Sequence, residues 1–271
     1  MSKAVLETGG LAVKKQKGVV NIGKKAERLT GDNDITIADR QAKTIVDEEV
    51  QELLLKAALK VLDGKRVKLD AEEETPSTKL FSNKSSAVTL VIDPIDGTRE
   101  YIDGLDSYSI NIGLVEKGRV ISAFVYFPIQ KNLYFLGSDG RPYLSKNGNV
   151  KNAKPLKARP RKNKNVYVNV RVSEEINHRL EKAGYKVIWR TSVYLWSKGI
   201  LLTLSDIKVV LFHTPQIRDI LLGAIIAAAP NGYGVDWKGQ KLVWPDGGRV
   251  HRAMFGTGQP SKEILDCLKE P

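Results

Sequence analysis

Between Ala87 and Leu136 four runs rich in β-branched and aromatic residues follow one another: AVTLVI, YSINIGLV over Tyr108–Val115, RVISAFVYF over Arg119–Phe127 and NLYFL over Asn132–Leu136. The breaks between the last three are short and hold Gly, Pro or Lys, too short for a crossover helix, so these strands run antiparallel as a meander. The rest of the chain has to pack on that sheet. Before it, Ala42, Ile45, Val46, Val50, Leu53, Leu54, Ala57, Ala58 and Val61 recur at helical spacing, which predicts a long amphipathic helix from about Asp39 to Leu62. The Gly- and Asx-rich TGDNDIT at Thr30–Thr36 leads into it as a turn.

After the meander, Lys151–Asn165 carries seven Lys or Arg and two Pro with little apolar content, as a linker or exposed loop does. Beyond it strand and helix patterns alternate: strands at Val166–Val170, Lys186–Trp189 and Ile207–Phe212, and helices at Glu174–Ala183, Val193–Thr203 and Ile217–Ala229. Two units follow, an N-terminal α+β domain over 1–153 and a C-terminal α/β domain over 154–271. With 42% hydrophobic and 27% charged residues the chain is globular in composition, not disordered or fibrous.

The net charge of +12 points to an anionic partner: a nucleic acid, a membrane surface or a phosphorylated small molecule. One cysteine, Cys267, excludes an intramolecular disulfide and a cysteine-built zinc cluster, and so sparing a use of cysteine fits the reducing cytoplasm. No uninterrupted apolar run approaches the roughly 18 residues of a membrane span, and no signal-peptide pattern opens the chain. A soluble protein is expected.

The densest chemistry lies at Val91–Tyr101, VIDPIDGTREY, at the end of an apolar strand. A proline-containing turn there aims Asp93 and Asp96 at one point, and two close carboxylates repel unless a cation lies between them. Such hard oxygen ligands suit magnesium, manganese or calcium. Gly97 permits a tight turn, and Thr98-Arg99-Glu100-Tyr101 opens a short helix whose free N–H groups suit a phosphate. Glu72, Glu73 and Glu74 form a second acidic group, which alone reads as a solvated loop. Asp34 and Asp39 alone read as helix-start residues, and Asp219 as a first-turn residue of the next helix.

In order along the chain, however, Asp34-Ile-Thr36-Ile-Ala-Asp39, Ala71-Glu72-Glu73, Asp93-Pro-Ile-Asp96-Gly97-Thr98 and Asp219-Ile-Leu-Leu-Gly223 resemble the motifs of the inositol monophosphatase superfamily. That superfamily includes inositol monophosphatases, 3'(2'),5'-bisphosphate nucleotidases and fructose bisphosphatases. The resemblance implies a layered αβαβα sandwich with an antiparallel N-terminal sheet and a mixed C-terminal sheet, and commonly a homodimer. It also implies a magnesium-dependent phosphomonoesterase acting on a small phosphorylated metabolite, with two or three Mg2+ ions that Mn2+ can replace. Glu72, Asp93 and the main-chain carbonyl of Ile95 would hold one ion, and Asp93, Asp96 and Asp219 a second. Gly97 and Thr98 would bind the phosphate, and the Thr98 hydroxyl, oriented by Asp39, would position and deprotonate the attacking water, with Glu72 in the catalytic set and Asp219 beside the substrate. No Ser, His or Cys nucleophile is called for, and His178, His213 and His251 show no ligand spacing.

Departures from the pattern bear on substrate. Ala71 stands where the family has Gly before its metal-binding Glu, leaving Glu72 and Glu73 both in view, with Glu72 preferred by register. Arg218 stands where the family has Trp, and the ending after that helix reads Ala-Pro230-Asn231-Gly232 in place of Glu-Ala-Gly-Gly. The stretch Val209–Arg218 holds no carboxylate to grip sugar hydroxyls, as inositol-specific members do. Arg99-Glu100-Tyr101-Ile102 is closer to the Lys-Glu-Phe-Ile of bisphosphate nucleotidases. The rival class, a nucleic-acid-binding protein using the basic 151–164 segment, sits poorly with converging carboxylates that would repel its ligand.

Overall fold

The computed structural model describes residues 1–23, 42–62, 67–81, 85–169, 172–189 and 196–269. In chain order the elements are α1 (Ser2–Lys15), α2 (Ile45–Val61), β1 (Val67–Ala71), β2 (Val88–Asp96), α3 (Thr98–Ile102), β3 (Ser109–Glu116), β4 (Arg119–Phe127), β5 (Asn132–Leu136), β6 (Pro142–Ser145) and β7 (Lys154–Pro155). There follow β8 (Asn165–Val168), α4 (Glu174–Lys182), β9 (Lys186–Trp189), α5 (Trp196–Leu201), β10 (Val209–Phe212), α6 (Leu221–Ala227), β11 (Gly232–Asp236), β12 (Ala253–Thr257) and α7 (Lys262–Cys267). The first sheet runs β1-β2-β3-β4-β5-β6-β7 and the second β11-β12-β10-β8-β9.

The meander is present, with β3, β4 and β5 paired antiparallel. The sheet is not antiparallel throughout, because β1 lies parallel to β2. Two strands in sequence can run parallel only through a long connection, and here that connection begins with Glu72–Glu74. The expected helix over 39–62 starts later among the described residues, at Ile45, because Thr44 caps it. The Thr44 hydroxyl accepts from Val46 N–H at 3.1 Å, while Asp47 Oδ2 accepts from Thr44 N–H at 2.8 Å and from the Thr44 hydroxyl at 2.6 Å. This reciprocal cap fixes the boundary more firmly than apolar spacing can. The expected helix over 217–229 is a 3-10 turn at Ile217–Ile220 followed by α6.

Three apolar layers hold the sheets apart. On one face of the first sheet, Leu90 and Ile92 of β2 and Ile110 and Ile112 of β3 pack against Val5 and Ala12 of α1 and Val46, Val50 and Leu54 of α2. On its other face, Val91, Val115 and Val125 meet Leu221, Leu222 and Ile225 of α6, which in turn meet Phe212 and Phe255 of the second sheet. Beyond that sheet, Ile176 and Leu180 of α4 and Ile264 of α7 close the outer layer. The order helix, sheet, helix, sheet, helix is the αβαβα sandwich. Contact across the middle layer is close: a Cβ at Gly113 would meet Leu221 side-chain and Ser122 main-chain atoms at 3.0 Å.

Candidate active site

Side chains of a strand alternate between faces, so Asp93 shares the middle-layer face with Val91, and in a regular strand Asp96 would point the other way with Ile92. The pairing of β2 with β3 prevents that. Asp93 is opposite Asn111 but Asp96 is opposite Ser109, so three steps on β2 match two on β3. This bulge resets the alternation. Ile95 joins Ile92 in the layer under α1 and α2, and Asp96 emerges on the same face as Asp93. The device is thus a bulge within β2, where the sequence suggested a turn at its end. Gly97 then adopts φ of +102°, a conformation that glycine takes without strain, and α3 begins at Thr98.

Across the middle layer, Asp96 Oδ2 accepts from the Ser197 N–H of α5 at 2.9 Å and from the Ser109 hydroxyl at 3.3 Å. Asn111 Nδ2 donates to the Ser197 hydroxyl at 3.1 Å and to the Arg218 carbonyl at 3.2 Å, which places Asp219 over the same face. Asp93 and Asp96 are each 3% exposed. Burial first, then the charges of Glu72, Asp96 and Asp219 and a hydrogen bond shared with Glu72, hold Asp93 well above the ordinary carboxylate range. Burial pushes Asp219 up to about 7, with Arg218 and Arg249 pulling against it and Asp96 and Glu72 adding to it.

Glu72 and Glu73 point in different directions. Glu73 turns to α2: its N–H donates to Gln51 Oε1 at 2.8 Å, its carbonyl accepts from Gln51 Nε2, and its Oε2 pairs with Lys43 Nζ at 2.9 Å. Glu72 is the one that reaches Asp93.

Asp34 and Asp39 lie outside the described residues. Among those described, the residue that holds the Thr98 hydroxyl is Asp47, whose Oδ1 is 3.0 Å from Thr98 Oγ1; the Ile95 carbonyl is also 3.0 Å away. Asp47 is fully buried, and burial pushes it up to about 7, against the lowering hydrogen bonds from Thr44 and Thr98. Its signal in the sequence is the spacing Thr44-Ile-Val-Asp47, a capping box one turn into the helix.

A divalent cation fits this donor set. The donors are hard oxygens, Glu72, Asp93, Asp96 and Asp219 together carry more negative charge than the nearby Arg218 and Arg249 cancel, and the buried Asp93 Oδ1 has no hydrogen-bond partner among the described residues. As placed, no three His, Cys, Asp or Glu side chains among the described residues stand at metal-ligand spacing, so binding would draw the carboxylates together. Among the described residues no helix is long and apolar enough to cross a membrane.

Comparison with known proteins bears on family and fold. The sequence profile of the inositol monophosphatase family matches residues 8–266. The 3'(2'),5'-bisphosphate nucleotidase CysQ of Salmonella typhimurium is 26% identical over 216 residues, covering 79% of this chain and 81% of that protein. An IMPase of Thermotoga maritima superposes with a TM-score of 0.72 at 19% identity, covering 98% of this chain and 94% of the other. An IMPase/NADP phosphatase complexed with Mg2+ and phosphate superposes with a TM-score of 0.72 at 14% identity, covering 98% and 92%.

Proposed function

Since the chain belongs to the inositol monophosphatase family and is a phosphatase of that superfamily, we propose that it hydrolyses a small phosphorylated metabolite in a magnesium-dependent reaction. The observation that carries this reading is the convergence of Glu72, Asp93, Asp96 and Asp219 on one face, with an Asp93 oxygen at its centre that has no hydrogen-bond partner among the described residues. In this reading Glu72, Asp93 and the Ile95 carbonyl would hold one ion, and Asp93, Asp96 and Asp219 would hold a second. Bound magnesium would lower the pKa of a water, neutralise the phosphate and stabilise the leaving alkoxide. The chain's own residues do the rest. Gly97 and Thr98 offer N–H groups to the phosphate. Asp47 supports Thr98: as a carboxylate it accepts a hydrogen bond from the Thr98 hydroxyl, which leaves the Thr98 oxygen lone pairs turned to an attacking water. When Asp47 is protonated its O–H donates to Thr98 instead, and Thr98 donates to the Ile95 carbonyl. The homodimer that the resemblance implies belongs to the same reading and is tested by light scattering.

A second reading of the substrate, a 3'(2'),5'-bisphosphate nucleotidase, is favoured by the similarity to CysQ over most of both chains and by the lack of a carboxylate in Val209–Arg218. Both are tested by phosphate release from myo-inositol monophosphate, adenosine bisphosphate and fructose bisphosphate, with magnesium and with chelator. Release that needs magnesium is expected, and the fastest of the three identifies the branch. A folded protein that releases phosphate from none of them in magnesium would contradict the reading.

A further inference from the structure

Arg218 stands immediately before Asp219, and its side chain is only 17% exposed. Its guanidinium lies among acids. Nη1 donates to Asp70 Oδ1 at 3.1 Å, and Nε lies 4.0 Å from Asp219 Oδ1, buried and with no hydrogen-bond partner among the described residues. Asp70 is itself fixed by a second donor, the Gly248 N–H, at 2.6 Å. The residue is anchored at its other end too, through the Asn111 bond to its carbonyl. Burial works against its charge, but Asp219, Glu72, Asp93 and Asp70 outweigh that and keep it firmly protonated. A permanent, rigidly held cation therefore stands inside the carboxylate cluster, at a position where burying an unpaired charge would be prohibitive.

Resting on the metal-dependent reading above, we infer that Arg218 is a built-in counter-cation of the site: it holds the carboxylates together before metal binds and competes with the divalent ion for Asp219. Two positive charges in one small site repel, so ion affinity is set by how far the guanidinium is held back on Asp70. Arg218 is a positioning residue on this account.

The test is Mn2+ binding by titration calorimetry, together with melting in chelator, for the wild type, Arg218→Gln and Arg218→Lys. Arg218→Gln is expected to melt several degrees lower in chelator and to bind Mn2+ at least about tenfold more tightly, so that Mn2+ raises its melting temperature more than the wild type's. Arg218→Lys, which keeps the charge, is expected to stay near wild-type affinity. A purely structural staple predicts equal destabilisation with and without Mn2+ and unchanged affinity, and that result would overturn the inference. Should Arg218→Gln fail to fold, Asp70→Asn carries the comparison: freed from Asp70, the guanidinium turns onto Asp219 and Mn2+ binds more weakly, whereas unchanged binding would again overturn it. Failure of the wild type to bind Mn2+ at all would instead overturn the metal reading on which the inference rests.

Discussion

The two sides of the site are built by different physics. On the β2 side, a bulge at Asp93–Asp96, a left-handed Gly97 and a short helix at Thr98 arrange the functional groups within a few consecutive residues. On the opposite side, Asp219 is held by contacts from distant parts of the chain. Arg218 reaches Asp70, 148 residues away in sequence, and Gly248 reaches the same carboxylate from 178 residues away. Backbone devices fix direction cheaply and respond little to conditions. Held by charge, the second side is expected to respond to pH and, in the proposed reading, to metal, because each buried carboxylate costs free energy until a cation offsets it.

This contrast can be broken by substitution. Asp93→Asn removes the carboxylate that the proposed reading places in both ion sites and is expected to lower kcat for phosphate release on the order of 10^4-fold, about 5 kcal/mol. Wild-type turnover in that variant would dismiss the site. The next effect is on stability in chelator. The folded-state pKa of Asp47, about 7, lies above its ordinary 3.8, so the folded chain keeps a proton that the unfolded chain gives up. The Asp47 contribution is therefore best at and below about pH 4 and declines as pH rises to about 7, by about 4 kcal/mol. Asp47→Asn should remove that share of the decline in melting temperature between these pH values; identical slopes in the two proteins would show that Asp47 does not titrate in this way.

Thr98→Ala should lower kcat about 100-fold, since a single positioned proton-transfer group contributes at that scale, while calorimetry shows Mn2+ affinity unchanged. A variant that loses metal binding in parallel would place Thr98 among the ligands. The smallest effect is expected for Thr44→Ala, which removes the hydroxyl of the cap. It should cost about 1 kcal/mol of stability in urea melts and lower activity only slightly, because Thr44 touches Asp47 and not Thr98. A loss of activity as large as that of Thr98→Ala would mean that the cap itself orients the site.

The same division explains what could be read from the sequence. The strands β4, β5 and β9 have the bounds that their apolar runs suggested, and DPIDGT announced carboxylates aimed at one point, because composition and local backbone chemistry decide both. Alternation fails at Asp96, and only the pairing partner on β3 reveals the bulge. The parallel edge β1 was passed over because its run, VKLDA, although it alternates apolar and polar residues, is only five residues long and mostly half-buried, and it gains its place from β2. Asp47 does not belong to the apolar stripe that marks the helix, and its partner Thr98 lies in another element. Arg218 was noticed as an unusual residue, yet its partner Asp70 lies in another element, and no spacing rule joins residues so far apart. Asp34 and Asp39 lie outside the described residues, so their expected roles stand untested.

The central claim is that a cation-dependent carboxylate cluster centred on Asp93 hydrolyses phosphate monoesters. Its most direct test is the rate of phosphate release from adenosine bisphosphate and myo-inositol monophosphate as magnesium is titrated into chelator-treated protein, wild type beside Asp93→Asn. The account predicts release that rises from background and saturates with magnesium in the wild type and stays near background in the variant. Release that is indifferent to magnesium, or equal in the two proteins, would contradict it.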